Sequence, residues 1–170
     1  MVLKNIKFIL IVLLFYQNTL FTKSSSFEKI DSKNLSKYFS GIVAFGNKKN
    51  SEALDFFNSS KILINAHDPF LKRYVSSLVL ETKVLQAIQI IKQNYENENI
   101  DFFDSYLLLI IDSLKKNELD IAYEYISIAN NFAEEDRFNL AILESLKQYV
   151  YLFKEKKFLD DKKNFGRLSY

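Results

Sequence analysis

The chain has 170 residues, and its hydrophobic fraction of 48% is large enough for a core, while three glycines and one proline are too few for the many turns of an all-β fold. The absence of cysteine excludes disulfides, thiolate metal sites and a cysteine nucleophile. Three of the 23 basic residues precede Glu28, which leaves 20 against 21 acidic residues, so no nucleic-acid partner is indicated.

The first 23 residues have the layout of a secretory signal, with Lys4 and Lys7 ahead of the apolar run 8–16. The full apolar stretch, residues 6–21, is interrupted by polar residues and is short for a bilayer span, which needs about 20 residues. No A-x-A-like cleavage site follows it. We therefore predict a signal peptide or a membrane anchor over residues 1–23, with an ordinary core segment as a third reading, and a polar linker over 24–33.

Helical spacing of apolar residues then predicts three helix pairs and one further helix. The pairs are 34–46 with 50–64 (copy one), 69–80 with 83–95 (copy two) and 101–116 with 118–132 (copy three), and the further helix is 136–154. Gly46 suits the left-handed residue after a helix, and Asp68-Pro69 is a start signal. The run 107–111 is apolar on every face, which favours a central helix covered on both sides over a buried strand.

Residues 156–170 read as a partial or capping helix. An array of helix pairs needs a polar cap at its end. The same residues also fit an array that continues into a longer protein, and both readings stay open.

Small residues recur with a constant period along the three copies. Ala53, Ala87 and Ala122 are 34 and 35 residues apart, which is the signature of a stacked helix-pair repeat. Small side chains are needed where two helices cross closely, and bulk three or four residues later fills the gap. The predicted repeat-packing residues are Gly41, Ala53, Phe57, Ala87, Ile91, Ala122, Ile126 and Ala129.

This pattern resembles the tetratricopeptide repeat (TPR), whose A-x3-F element is matched by Ala53 and Phe57 with Gly41 twelve residues before the alanine. The Trp, Leu and Tyr positions of the first helix are not kept, and the only proline lies four residues beyond its place. The signal-like start followed by residues 38–46 is similar to exported bacterial TPR proteins of undefined function. The resemblance implies an all-α fold, a right-handed α-solenoid of about three antiparallel helix pairs plus a C-terminal helix, over residues 34–155 behind the apolar helix.

The resemblance also implies a concave groove lined by the first helix of each pair. Transferred onto this sequence, the groove positions are Tyr38, Ile42, Phe45, Lys72, Ser76, Val79, Leu107, Ile111 and Lys115. The set is mostly apolar, so the expected ligand is an apolar peptide or helix, or further C-terminal repeats of the same array. Lys72 and Lys115 are the only two that could hold a carboxylate.

No residue pattern indicates catalysis, a cofactor or a metal. His67 is the only histidine and is expected to be a solvated turn residue. The acidic groups 134–136 and 160–161 fall at turns and helix starts, where carboxylates favour the helix dipole. Three isolated glycines cannot form a phosphate-binding loop.

The sequence therefore predicts a non-catalytic protein–protein interaction scaffold of the bacterial cell envelope. It would be exported, either periplasmic or anchored to the inner membrane, and residues 6–21 would contact the membrane only if they are not cleaved. The alternative is the substrate-positioning part of a longer enzyme or envelope assembly factor. A helical bundle without repeats is a third, weaker reading.

Overall fold

The described residues form only helices, turns and short connections. The structure, a computed structural model, describes residues 31–67, 69–96, 100–133 and 136–157. Within them seven α-helices follow one another: α1 (Ser32–Gly46), α2 (Asn50–Asn58), α3 (Pro69–Leu80), α4 (Val84–Gln93), α5 (Phe103–Lys115), α6 (Leu119–Ala129) and α7 (Arg137–Glu155). No strand occurs in this part of the chain, so the all-α prediction is confirmed.

Each helix packs against the helix that follows it in sequence. The contacts are most extensive within the pairs α1–α2 and α5–α6, and α1 also contacts α3. The predicted pairing of first and second helices in copies one and three is therefore present, and copy two supplies α3 and α4 between them.

The three turns inside the helix pairs have the same backbone geometry. Lys48, Thr82 and Asn117 all adopt a left-handed conformation, with φ of 59°, 57° and 61°. The residue after each donates its backbone N–H to a carbonyl five residues earlier, as Lys49 does to Ala44 at 3.0 Å. Equivalent bonds run from Lys83 to Leu78 at 2.8 Å and from Glu118 to Ser113 at 2.9 Å. The period of the alanines is thus also the period of the turns.

This geometry corrects the expectation for Gly46. Gly46 is the last residue of α1 and has no positive φ, and the left-handed residue is Lys48, two positions later. The bond from Lys49 to Ala44 fixes where the chain leaves the helix, so the position of the turn follows from hydrogen bonding and not from the nearest glycine.

The repeat-packing residues are buried in the interfaces between helices. Gly41 and Ile126 are buried, and the other six, the four alanines with Phe57 and Ile91, are each 0% exposed. A Cβ atom on Gly41 would lie 2.7 Å from Cε1 of Phe57. Glycine at this place therefore lets α1 approach the aromatic ring of α2 directly.

Several helix boundaries differ from the prediction, and two of these differences have a clear hydrogen-bonding cause. α1 begins at Ser32, two residues early, because the Asp31 carboxylate accepts a hydrogen bond from the Lys33 backbone N–H at 3.1 Å. α2 ends at Asn58, because the hydroxyls of Ser59 and Ser60 donate to carbonyls one turn earlier, and a short 3-10 helix follows at 61–65. α3 begins at Pro69 as predicted, while the proposed cap at 68 lies outside the described residues.

His67 is not the solvated turn residue that the sequence suggested. It is half-buried, and its ring meets the Tyr38 ring edge to face at a centroid distance of 4.8 Å. The Tyr38 ring also packs on Phe57 and Phe70, at 6.0 and 5.5 Å. Because these rings come from α1, α2 and α3, the aromatic cluster joins copy one to copy two.

The predictions for residues 1–23 and 156–170 fall almost wholly outside the described residues. Of the tail, Lys156 is described and is left-handed, with φ of 58°. Among the described helices, none combines the length and the apolar character that crossing a membrane requires.

Candidate partner-binding surface

Two cations of α3 define an exposed surface that joins all three copies. The Arg73 guanidinium lies over the Phe45 ring of α1, 5.7 Å from its centroid. The neighbouring Lys72 ammonium lies 5.9 Å from the centroid of Phe102, the residue before α5. Both cations are exposed, and neither has an ion-pair partner within the described ranges. The aromatic faces beneath the two cations help to hold them in place.

The groove positions on α1 are covered more than the sequence predicted. Tyr38 is only 2% exposed, because its ring is enclosed by the aromatic cluster, and it therefore belongs to the core and cannot line a groove. Ile42 and Phe45 are half-buried. Of the three predicted groove positions in copy one, Phe45 is therefore the one that lies next to the cation of Arg73.

The groove positions on α3 are mostly accessible. Lys72 is exposed, Val79 is 37% exposed and Ser76 is half-buried. The Ser76 hydroxyl donates to the Lys72 carbonyl at 2.8 Å, so its hydrogen goes to its own helix. The useful features of α3 are therefore a cation and an aliphatic side chain about two turns apart.

The groove positions on α5 divide in the same way. Ile111 is 48% exposed and Lys115 is exposed, whereas Leu107 is half-buried. The run 107–111 is helical as predicted, but the exposure of Ile111 shows that it is not covered on every side. Leu109 and Ile110 lie on the buried side of this helix and are both 0% exposed. The prediction treated all five residues of the run as equally covered.

A cavity of about 460 Å³ lies beside Lys72. Its walls come from α3, from the start of α5, from the short 3-10 helix Asn130–Phe132 that follows α6, and from α7, and include Phe102, Asp104, Asn131 and Asn139. Asp101 at its edge accepts a hydrogen bond from the Tyr106 hydroxyl at 2.8 Å. Burial and this hydrogen bond raise the pKa of Tyr106, so the phenol stays protonated and holds Asp101 in one orientation.

A buried carboxylate links copies two and three. Oδ2 of Asp112 on α5 accepts from the ammonium groups of Lys92 on α4, at 2.5 Å, and of Lys116, at 2.8 Å. Burial alone would raise the pKa of Asp112, but the hydrogen bonds from Lys116 and Lys92 outweigh burial and lower it. The two cations therefore compensate the buried charge, and the group has a structural role between copies.

Sequence reasoning missed four residues of this region, Arg73, Phe102, Asn131 and Asn139. Arg73 and Phe102 matter because each takes part in a cation–aromatic contact with a neighbouring copy. Arg73 lies 28 positions after Phe45, which is not the repeat period of 34 or 35 residues, so the spacing of the copies does not pair these two residues. Nothing in the sequence points to the two asparagines.

No group of three or more acidic or histidine side chains placed to hold a metal ion occurs in the described part of the chain.

The chain matches no protein-family model, no curated protein and no solved structure. The surface around Lys72 therefore has to be interpreted from its own geometry.

Proposed function

We propose that the chain is a non-catalytic protein–protein interaction scaffold of the bacterial cell envelope, built from TPR-like repeats stacked as a right-handed α-solenoid. The observation that carries this proposal is the recurrence of one turn at Lys48, Thr82 and Asn117. A turn repeated with the same hydrogen bond supports a stack of similar helix pairs. Stacked units of this kind present an extended surface, which suits binding to another polypeptide.

The face formed by α3 and α5 is where we place the partner. Val79 and Ile111 supply exposed aliphatic contact, and Lys72 and Lys115 supply cations beside it. An amphipathic helix or an extended peptide with apolar anchors would bury the aliphatic side chains and neutralise the lysines. Residues 6–21 would bring the scaffold to the envelope, as an export signal or as an anchor.

Affinity capture from envelope extracts tests the proposal, with Lys72→Glu and Ile111→Asp as the surface variants. Lys83→Glu and Leu85→Asp are matched controls, because Lys83 is exposed just before α4 and Leu85 is 72% exposed on α4, a second helix. A partner of the proposed surface is lost with both surface variants and retained by both controls. Retention by all four variants, or equal loss in all four, contradicts the assignment.

A further inference from the structure

The outer side of copy one carries an open groove. It lies between α1 and α2, has a volume of about 530 Å³, and is lined in part by Ser36, Phe39, Ser40, Val43 and Phe56. Phe39 is 58% exposed and Val43 is 63% exposed. All of its lining residues belong to copy one, and the Phe39 ring packs on the buried Tyr38 ring at a centroid distance of 5.6 Å.

The same side of copy two is a buried interface. A shift of 34 residues takes Ser36 to Phe70 and Ser40 to Tyr74. Both aromatic residues are 0% exposed, and they pack on copy one, where the Tyr74 hydroxyl donates to Asn58 at 2.8 Å. The open face of α1 in copy one is therefore equivalent to the face of α3 that packs against copy one. It differs by having serines where copy two has aromatic rings.

The serines and the exposed apolar residues of α1 form a self-complementary pattern. In an antiparallel pair of identical helices, residues whose numbers have a constant sum face each other. With a two-fold axis between Phe39 and Ser40, each Phe39 meets Ser40 of the other helix, and each Val43 meets Ser36. Every large side chain then enters the space above a small one, which is how helices pack closely.

We propose that this groove binds a second copy of the chain, by antiparallel packing of α1 on α1 around that two-fold axis. A symmetric dimer uses one patch on both subunits, and this patch supplies both the projecting side chains and the spaces that receive them. The proposal concerns α1 and α2, and it does not depend on the partner-binding surface of α3 and α5.

The charges around the groove also suit a second copy. Lys49 and Glu52 at its rim form an ion pair of 3.2 Å, so the rim carries no net charge that two identical faces would bring together. In the same antiparallel register, exposed Lys33 of one helix lies opposite Gly46 of the other. Gly46 ends α1, and the C-terminal end of a helix dipole carries partial negative charge that attracts a lysine.

The chain has no cysteine, so single substitutions give an unambiguous cross-linking test. Ser40→Cys places its two copies only about 1.5 Å apart along the helix axis, since one residue separates them. Mild oxidation of the full chain should give a disulfide-linked dimer of twice 20.0 kDa. Ser36→Cys alone should not cross-link, because its copies are seven residues, or about 10 Å, apart along the axis. A mixture of Ser36→Cys and Val43→Cys chains should cross-link again.

Gln89→Cys on the exposed side of α4 is the control for random collision. Adding Phe39→Asp to the Ser40→Cys chain should reduce the dimer at least about tenfold, corresponding to about 1.4 kcal/mol of association. Phe39 is largely exposed in the single chain, so circular dichroism should show unchanged helix content.

Three results would overturn the proposal. The first is a Ser40→Cys chain that yields no more dimer than Gln89→Cys. The second is a Ser36→Cys chain that cross-links by itself as much as Ser40→Cys does, which would mean that the two α1 helices pair in another register. The third is a Val12→Cys, Ser40→Cys chain that forms a disulfide within the monomer, which assigns the groove to the apolar N-terminal segment. Loss of capture by Lys72→Glu with an unchanged dimer would separate this interface from the proposed function.

Discussion

Replacing Gly41 by alanine should destabilise the protein, although alanine is the better helix former. The new Cβ would lie 2.7, 3.0 and 3.1 Å from Cε1, Cδ1 and Cζ of Phe57. Carbon atoms in contact prefer about 3.5–4.0 Å, so the ring would have to move by about 1 Å. Phe57 is 0% exposed and meets the Phe70 ring edge to face at 5.9 Å, so it cannot move without displacing the aromatic cluster.

The magnitude follows from two opposing terms. Glycine to alanine inside a helix contributes about 1 kcal/mol of stability. Overpacking a core that cannot relax costs about 1–3 kcal/mol, and the shortest distance at Gly41 favours the upper part of that range. We therefore expect Gly41→Ala to lower the free energy of unfolding by about 1–2 kcal/mol. In a Phe57→Leu background the same change should be neutral or stabilising, a coupling of about 2 kcal/mol.

Urea unfolding followed by circular dichroism measures the four free energies of this cycle. Gly46→Ala is the matched control, because Gly46 ends the same helix and a Cβ there would have no neighbour within 4 Å. The control should gain about 0.5 kcal/mol. If Gly41→Ala stabilises the protein as much as Gly46→Ala does, the close approach of α1 to Phe57 is wrong.

Three further predictions concern the turns and the links between copies. Thr82→Gly should raise the thermal midpoint by about 2–4 °C, because a β-branched residue is strained at φ of 57°, whereas Asn117→Gly should change it little. Asp112→Asn should lower the free energy of unfolding by about 1–2 kcal/mol at pH 7, measured in urea. The pKa of Asp112 is lower in the folded state than its ordinary value of 3.8, so the ionised carboxylate stabilises the folded protein above that pH. This stabilisation is lost as the pH falls through the folded-state pKa. The urea unfolding curves of the wild type and of Asp112→Asn should therefore converge in acid. Tyr74→Phe should cost about 1 kcal/mol, since it removes the hydrogen bond to Asn58, while Tyr123→Phe, at an exposed position, should cost nothing measurable in the same assay.

The helices themselves could be predicted from the sequence, because the spacing of apolar and small residues within each segment is enough to indicate a helix. The starts at Asn50 and Pro69 agree, and the end of α1 at Gly46 agrees. The early end of α2 could not be predicted, because the hydroxyls of Ser59 and Ser60 can either face solvent or bond to the previous turn, and only the packed structure decides between them. The sequence predicts the left-handed turn residue at Gly46, because glycine adopts that conformation most easily, whereas the structure has it at Lys48.

The surface could be predicted less well, because exposure depends on the neighbouring copies. Tyr38 and Leu107 occupy equivalent places in copies one and three, yet Tyr38 is 2% exposed and Leu107 is half-buried. The difference arises from Phe70 and His67, which cover Tyr38, and nothing in the spacing of α1 residues indicates them. Arg73 was missed for a similar reason, since its aromatic partner belongs to another helix.

The alanine period and the Gly41–Phe57 contact show how copies one and two place different side chains around the same small residue. The positions of Gly41 and Phe57 are occupied in copy two by Val75 and Ile91, all four of them buried. A larger residue on the first helix thus accompanies a smaller one on the second, while the intervening alanine position stays constant. A single substitution at either place in copy one should therefore be more destabilising than the pair that exchanges volume between the two helices. Ala53, Ala87 and Ala122 are each 0% exposed, so in all three copies the space between the paired helices is filled at this place by a small side chain.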